Sequence, residues 1–200
     1  MRLLITTIII SLSLACSTAQ DRKVGGPCEG CEALFEYGNQ QLNAVDTLPG
    51  FVAADQKLKI TGTVFREDGK SLAKNVIIYV YHTNQKGVYP KKGNENGWAR
   101  RHGYIRGWVK TDNKGRYTFY TFRPASYPNS TVAQHIHMTI KEPNTIPYYI
   151  DEIQFADDPH FKNRNSNSMR GGSGLVNLQT KNNLMVGVRD ITLGKNIPNY

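Results

Sequence analysis

The sequence predicts an all-β protein, an antiparallel β-sandwich with long functional loops. Apolar and polar residues alternate over several short stretches, turn signals separate them, and no stretch has a convincing helical period. The 200 residues are enough for one domain with a sizeable core. We expect a signal peptide at 1–15, an N-terminal extension at 16–54 and the β-sandwich at 55–200.

The strands can be placed in chain order. Leu58 to Val64 alternates between apolar and polar residues, which indicates a half-buried strand. Asn75 to His82 is a continuous β-rich run and fits a core strand, and in Arg116 to Phe122 the apolar residues share one face. Further strands are expected at 135–140, 150–155, 175–180 and 184–193.

Two loops stand out by their length. Residues 84–104 are rich in Gly and Asn, and residues 163–174 form a Gly-rich polar stretch. A loop as long as 84–104 inside a compact domain is usually functional. We therefore expect loops carried by the sheets to contribute to the site, at an end or a face of the sandwich.

The number and distribution of charged residues indicate which class of partner the protein binds. Lys and Arg number 25 against 16 Asp and Glu, which gives a net charge of +9. These basic residues are scattered through turns, and no basic helix or basic run with interleaved aromatic residues occurs. We therefore expect a small-molecule partner and no nucleic acid.

The first residues predict export. Arg2 precedes an apolar stretch at 3–14 that is too short to anchor stably across a membrane. Leu14-Ala15-Cys16 resembles a bacterial lipoprotein box, which would place a lipid on Cys16 and hold the protein at the cell envelope. Alternatively, the small residues at 17–19 allow cleavage before Gln20 and secretion. The lipid is the only membrane attachment we expect.

The remaining cysteines form a Cys28-Glu29-Gly30-Cys31 motif. In an exported protein an oxidised disulfide is the default state of such a pair. The preceding Gly25-Gly26-Pro27 favours a turn over the helix start of a thioredoxin-like redox site. A structural zinc site needs four ligands, and this motif supplies two. We predict a structural disulfide clip.

His135 and His137 are the strongest candidates for a metal site. They lie two residues apart in a predicted strand, so both imidazoles face the same side. Tyr89 and Tyr127 lie on loop segments bounded by Gly or Pro. Two imidazoles and two phenolates suit ferric iron, because anionic oxygen stabilises the trivalent state. A ferrous site of two histidines and one carboxylate is the alternative. Its carboxylate would come from one of Asp151, Glu152, Asp157 and Asp158.

The remaining histidines receive weaker interpretations. His82 ends a strand and is expected to be structural or to support the site from outside. His102 lies in the long loop and could line the mouth of the site. His160 follows Asp157-Asp158-Pro159 and is expected in a surface turn.

Several separated motifs occur in one order along roughly residues 55–195. They are Gly87-x-Tyr89; Arg106-Gly107-Trp108-Val109-x-Thr111-Asp112-x-x-Gly115-Arg116-Tyr117; Thr121-x-Arg123-Pro124-x-x-Tyr127-Pro128; His135-Ile136-His137; and Phe155-x-Asp157-Asp158-Pro159. This order resembles the intradiol ring-cleavage dioxygenases, which include catechol and protocatechuate 3,4-dioxygenases.

The resemblance implies a fold, a cofactor and a reaction. The family fold is a β-sandwich that holds one mononuclear non-haem Fe(III). Matched by motif, the metal ligands are Tyr89, Tyr127, His135 and His137. Tyr127 would be the axial ligand that leaves when substrate binds, and so a catalytic residue. The expected partners are a catechol-type substrate and O2, with a muconate-type diacid as product. The alternative is an exported, non-catalytic β-sandwich lipoprotein that binds a ligand or glycan.

Two positions depart from the family pattern. Val132 stands where the family usually has Arg, and Glu152 where it often has Gln. Both family residues lie against bound substrate, so the resemblance implies an intact iron site with altered substrate handling. We expect a slower enzyme unless another cation compensates. The candidates for that cation are Arg100, Arg101, Arg106 and Arg123.

Overall fold

Two β-sheets pack face to face in the computed structural model of the protein, which describes residues 20–162 and 166–200. The predicted leader and its two processing sites lie outside the described residues, as do residues 163–165 of the predicted Gly-rich loop. Within the part of the chain that is described, no helix is long and apolar enough to cross a membrane.

The elements are short and mostly strands. In chain order the strands are β1 Val45–Thr47, β2 Lys57–Phe65, β3 Ile77–Tyr81, β4 Arg106–Lys110, β5 Arg116–Phe122, β6 His135–Lys141, β7 Tyr148–Phe155, β8 Leu175–Val176, β9 Gln179–Lys181, β10 Leu184–Val188 and β11 Ile191–Thr192. One short helix, α1, spans Ala99–His102, and 3-10 turns span Cys31–Phe35 and Ser166–Ser168.

The strands divide between the sheets in a fixed order. One sheet runs β1-β5-β2-β10-β9, with β11 paired to β2, and the other runs β4-β3-β6-β7-β8. The predicted β-sandwich is confirmed. The central pairs β2–β5, β3–β4, β3–β6 and β6–β7 are antiparallel, as expected.

The sheets are nevertheless mixed. Strands β1, β10 and β11 pair in parallel with their neighbours in the first sheet, and β8 pairs in parallel with β7. Longer connections join these strands to their partners in the sheet. Whether a strand then pairs in parallel or antiparallel depends on the path of the whole chain. Strands β1 and β4 were not predicted from the sequence: β1 has only three residues, and β4 directly precedes the turn at 111–115.

The alternation in the sequence explains how the core forms. In β2, Leu58, Ile60 and Val64 are fully buried, whereas Lys59, Thr61 and Thr63 on the opposite face are partly exposed. Tyr117 and Phe119 of β5 face the same interior and are buried. Because successive side chains of a strand point to opposite faces, each sheet presents one apolar face to the other.

The N-terminal segment packs on the outside of the second sheet. Cys28 and Cys31 form the predicted disulfide at the start of the 3-10 turn. Ala33 and Leu34 follow and bury themselves against Tyr79 of β3 in a small second cluster. This packing brings the disulfide close to the end of β3 and β6.

Candidate metal centre

His135 and His137 begin strand β6 and point to the same side of the sheet. Their Nε2 atoms lie 3.1 Å apart, and the rings are nearly perpendicular at 86°. A register shift in the β6–β7 pairing falls between Ile136 and Met138, at the position of His137. The strand period therefore delivered the same-face arrangement that the sequence predicts.

His135 has a defined tautomer. Its Nδ1 lies 2.7 Å from the backbone carbonyl oxygen of Ala133, and a carbonyl can only accept a hydrogen bond. Nδ1 therefore carries the proton, and in the neutral ring Nε2 presents a lone pair. Histidines that bind metals typically donate their other ring N–H in this way.

Two loops bring the tyrosines to the histidines. Tyr89 lies between β3 and α1, and Tyr127 lies between β5 and β6. The loops are joined where Thr83 Oγ1 donates to the Ala125 carbonyl oxygen at 2.6 Å. Gly87 has φ of +75°, and a Cβ there would lie 2.0 Å from the Ser126 carbonyl oxygen. Only glycine permits this close approach.

The four side chains converge on one point. Tyr89 Oη lies 2.6 Å from Tyr127 Oη and 2.8 Å from His137 Nε2. Tyr127 Oη lies 3.1 Å from His135 Nε2 and 3.4 Å from His137 Nε2. Donor atoms that surround one ion at about 2 Å lie about 3 Å from one another. The separations and the phenol and imidazole donors therefore fit a single iron ion.

The electrostatics of this four-atom cluster suit a cation. Burial, with His135 close by, lowers the pKa of His137 to about 3, so its imidazole is neutral at pH 7 and can act as a ligand. Burial and the hydrogen bond with Tyr127 raise the pKa of Tyr89. A buried phenol of this kind becomes a phenolate only beside a strong positive charge, which a bound metal ion provides.

The alternative site of two histidines and one carboxylate finds no support among the residues that the structure describes. Among residues 20–162 and 166–200, no group of three or more His, Cys, Asp and Glu side chains is placed to hold a metal ion. The Asp157 carboxylate accepts two hydrogen bonds of 2.7 Å from Arg123. The Asp158 carboxylate accepts hydrogen bonds from the backbone N–H groups of Gln134 and His160.

The cluster opens into a cleft with aromatic walls. The cleft has a volume of about 340 Å³, and its lining includes Tyr81, Trp98, His102 and the candidate ligands Tyr89, Tyr127 and His137. The rings of Trp98, His102, Tyr81 and His137 form a continuous series with successive centroid distances of 5.3, 3.8 and 4.5 Å. His102 thus lines the mouth of the site, as expected.

Tyr81 was missed by sequence reasoning. It pairs directly across from His137 in the β3–β6 register, and this signal becomes visible only when the register is known. His82 is fully buried and bonded to Thr83 and Thr121, which makes it structural. His160 is exposed, as a surface turn residue should be.

Comparison with known proteins identifies the family. A family model described as "Dioxygenase" matches residues 37–189, which is most of the chain. The chain belongs to the intradiol dioxygenase family. The resemblance inferred from the separated motifs is confirmed. No curated protein matches the chain.

Solved structures share the fold of this chain. The dioxygenase domain of a dioxygenase–carbohydrate-binding protein fusion from Streptomyces sp. SirexAA-E has 18% identity and a TM-score of 0.58, over 88% of this chain and 97% of that one. Catechol 1,2-dioxygenase from Pseudomonas arvilla C-1 has 15% identity and a TM-score of 0.57, over 76% of this chain. The mercury-inhibited enzyme from Acinetobacter sp. ADP1 has 20% identity and a TM-score of 0.56, over 78%. This chain spans 56% and 59% of the lengths of those two catechol 1,2-dioxygenases.

The two departures from the family pattern lie in different surroundings. Val132 is 46% exposed on the loop before β6. Glu152 lines a smaller cleft of about 180 Å³ together with His137 and Tyr81. The side chain in the family's glutamine position is therefore next to the cluster, as expected.

The four candidate arginines differ in their contacts. Arg106 forms an ion pair with Glu36, and Arg123 is engaged by Asp157 and by Gln134 at 2.6 Å. The Nε of Arg100 donates to the Glu95 carbonyl oxygen at 3.1 Å. Of the four candidates, Arg101 lines the cleft.

Proposed function

We propose that the protein is an intradiol dioxygenase that binds one non-haem Fe(III) through Tyr89, Tyr127, His135 and His137. The observation that supports this most directly is the convergence of two phenol oxygens and two imidazole nitrogens within 2.6–3.4 Å of one another. Such a donor set is chemically suited to the ferric state. The proposed substrate is a catechol-type diol, with O2 as the second reactant and a muconate-type diacid as product.

Each ligand has a definable task. A bound ferric ion would supply Lewis acidity that lowers the pKa of the catechol hydroxyls. Tyr127 would hold the ion through its phenolate Oη, and the same oxygen would accept one substrate proton, so Tyr127 would act as a general base. His135 keeps its Nε2 lone pair directed at the cluster because Nδ1–H is held by the Ala133 carbonyl.

The aromatic walls position the ring of the substrate. Tyr81 stacks on His137 with an interplanar angle of 19°, which fixes the imidazole plane. Tyr81 and Trp98 present flat apolar surface to the cleft, where a planar substrate can pack and water is displaced. Holding the diol in one orientation reduces the entropic part of the activation barrier.

Iron loading followed by oxygen uptake tests the proposal. The purified protein is loaded with ferric iron and its visible spectrum recorded, because phenolate-to-iron charge transfer gives a red to burgundy colour. Oxygen consumption is then measured on a panel of catechols, with product identification by mass. We expect colour, stoichiometric iron and a ring-opened diacid.

The variant that tests the ligand assignment is Tyr89→Phe, which keeps the ring packing and removes one proposed ligand oxygen. It should lose the colour, the iron and the activity together. Full turnover in this variant would contradict the ligand assignment. A protein that stays colourless after iron loading and consumes no oxygen would favour the alternative of a non-catalytic binding module.

We also propose that the protein is exported. The proposal rests on the leader at 1–15, with either a lipid on Cys16 or cleavage before Gln20. The disulfide between Cys28 and Cys31 fits an oxidising compartment. Mass spectrometry of the mature N-terminus distinguishes the two routes, and a retained Met1 would contradict both.

A further inference from the structure

The loop that carries the disulfide, residues 28–31, forms a wall of the cleft; we call it the disulfide loop. Glu29 lines the larger cleft together with Tyr89, Tyr127 and His137. Cys28, Glu29 and Gly30 line the smaller cleft beside it. The disulfide loop precedes residue 37, where the match to the family model begins. This wall is therefore a feature of the present chain that the family match does not cover.

Gly30 fits the disulfide loop tightly against the aromatic series. Its φ is +84°, and a Cβ on it would lie 3.1 Å from the His102 ring and 3.4 Å from Trp98. A side chain here would be strained and crowded, so the backbone itself forms the contact. His102 stacks on Tyr81, which in turn stacks on His137. The loop position is thus fixed relative to the candidate iron ligands.

Glu29 extends from this loop to Arg101 and forms an ion pair with it. The Arg101 guanidinium also lies 5.6 Å from the centre of the Trp98 ring. Both partners are largely exposed, with 64% of the Arg101 side chain and 73% of the Glu29 side chain accessible. Exposed ion pairs contribute little to stability, so a bound molecule can compete for either partner at small cost.

The charge at the rim of the cleft comes from this pair. Arg106 and Arg123 are engaged elsewhere by carboxylates, and both are mostly covered. Arg101 is therefore placed to meet a substituent on a ring whose hydroxyls point toward the four-atom cluster. Glu29 stands next to it with the opposite charge.

We propose that the Glu29–Arg101 pair selects the charge of the substituent on the catechol ring. The proposal deepens the proposed function and rests on it. An uncharged substituent leaves the ion pair intact. An anionic substituent must displace Glu29 from Arg101, and a cationic one must displace Arg101 from Glu29. The disulfide between Cys28 and Cys31 keeps Glu29 at the rim, so it is a positioning element for this selection.

Binding of phenols that cannot be cleaved tests the selection without relying on turnover. The probes are tyrosol, para-hydroxyphenylacetate and tyramine, which share a ring and carry an uncharged, an anionic and a cationic substituent. Quenching of tryptophan fluorescence measures each dissociation constant, with and without added iron. The wild-type protein should bind tyrosol most tightly.

Two variants should shift the preference in opposite directions. Glu29→Gln should raise the affinity for para-hydroxyphenylacetate relative to tyrosol by roughly three- to fivefold. Arg101→Gln should raise the affinity for tyramine relative to tyrosol by a similar factor. The double variant Cys28→Ser/Cys31→Ser should show the same change in probe affinities as Glu29→Gln, because Glu29 is then no longer held at the rim. The matched control is Arg116→Gln, which breaks another exposed arginine–carboxylate pair, with Asp112, and should leave all three constants unchanged.

The outcomes separate this inference from the proposed function. If the ratios of the dissociation constants among the three probes are unchanged in Glu29→Gln and Arg101→Gln, the selection is overturned, as it is if the wild type binds none of the probes. Absent oxygen uptake on every catechol would defeat the dioxygenase activity, while the binding constants would still report on the rim pair. If uptake occurs, the ratios of kcat/KM for similarly substituted catechols should shift in the same directions.

Discussion

His82 and His135 are buried histidines with the same first hydrogen bond and different second ones. Each has Nδ1 at 2.7 Å from a backbone carbonyl oxygen, so each presents an Nε2 lone pair. The Nε2 of His82 meets the Thr121 hydroxyl at 2.6 Å, whereas the Nε2 of His135 meets Tyr127 and His137. A buried histidine becomes a candidate ligand only when its lone pair shares a point with other donors.

The largest expected effect is on iron binding. It should arise from changes in the four-atom cluster and not from changes around His82. His137→Ala removes a donor from the cluster and should lower iron affinity by at least about 100-fold, with loss of activity. Iron content and the visible spectrum measure the change. His160→Ala, an exposed position outside the cluster, should keep full iron. Normal iron content in His137→Ala would show that the cluster is not the metal site.

Acid should destabilise the protein through the structural histidine. Burial lowers the pKa of His82 to about 4, from an ordinary value near 6.5. Between these two values the unfolded state binds more protons than the folded state, so stability falls as the pH falls. The contribution of His82 is about 1.4 kcal/mol per pH unit, or about 3 kcal/mol over the window.

Denaturant unfolding of the metal-free protein at several pH values measures this slope. His82→Gln should reduce the slope between pH 6 and 4, because Gln does not titrate. His160→Gln should leave it unchanged. An identical slope in His82→Gln and wild type would place the acid sensitivity in other groups.

Thr121→Val tests the second hydrogen bond of His82. The change removes the hydroxyl that donates to Nε2 and leaves a buried acceptor without this partner. We expect the free energy of unfolding to fall by about 1–3 kcal/mol. Iron content should stay the same, because the Thr121 hydroxyl contacts His82 and takes no part in the cluster contacts. Loss of iron would mean that the two regions are coupled.

The smallest effect is expected at Tyr81. Tyr81→Phe keeps the ring that stacks on both His102 and His137 and removes a hydroxyl that takes no part in the cluster contacts described above. The free energy of unfolding should change by less than about 0.5 kcal/mol, and the visible spectrum of the iron-loaded protein should be retained. Tyr81→Ala, which removes the stack, is the contrasting variant and should broaden or shift the spectrum. A colourless Tyr81→Phe protein would add this hydroxyl to the metal site.

The comparison also explains which parts of the site were predictable. The same-face placement of His135 and His137 follows from the two-residue period of a strand, which is a local property. The disulfide follows from two cysteines three positions apart in a chain that is expected to be exported. Tyr89 and Tyr127, among eleven tyrosines, became candidates through their loop placement and the family motifs, and not through periodicity.

Other features depended on contacts between distant segments. Tyr81 joined the site because β3 pairs with β6 in one particular register. Glu29 and Arg101 met because residues 31–35 bury Ala33 and Leu34 against the second sheet. Glu29 and Arg101, for example, are 72 positions apart in the sequence, and short-range patterns do not encode such contacts.

The sequence by itself determined the β class, the paired imidazoles, the disulfide and the family of this protein, because strand period, turn chemistry and ordered motifs are all local. The tertiary structure alone decided the mixed direction of the edge strands, the approach of the two tyrosine loops at Gly87, and the wall that residues 28–31 form. These depend on how separate segments pack, and packing is set by the shape and burial of the whole chain rather than by any one stretch.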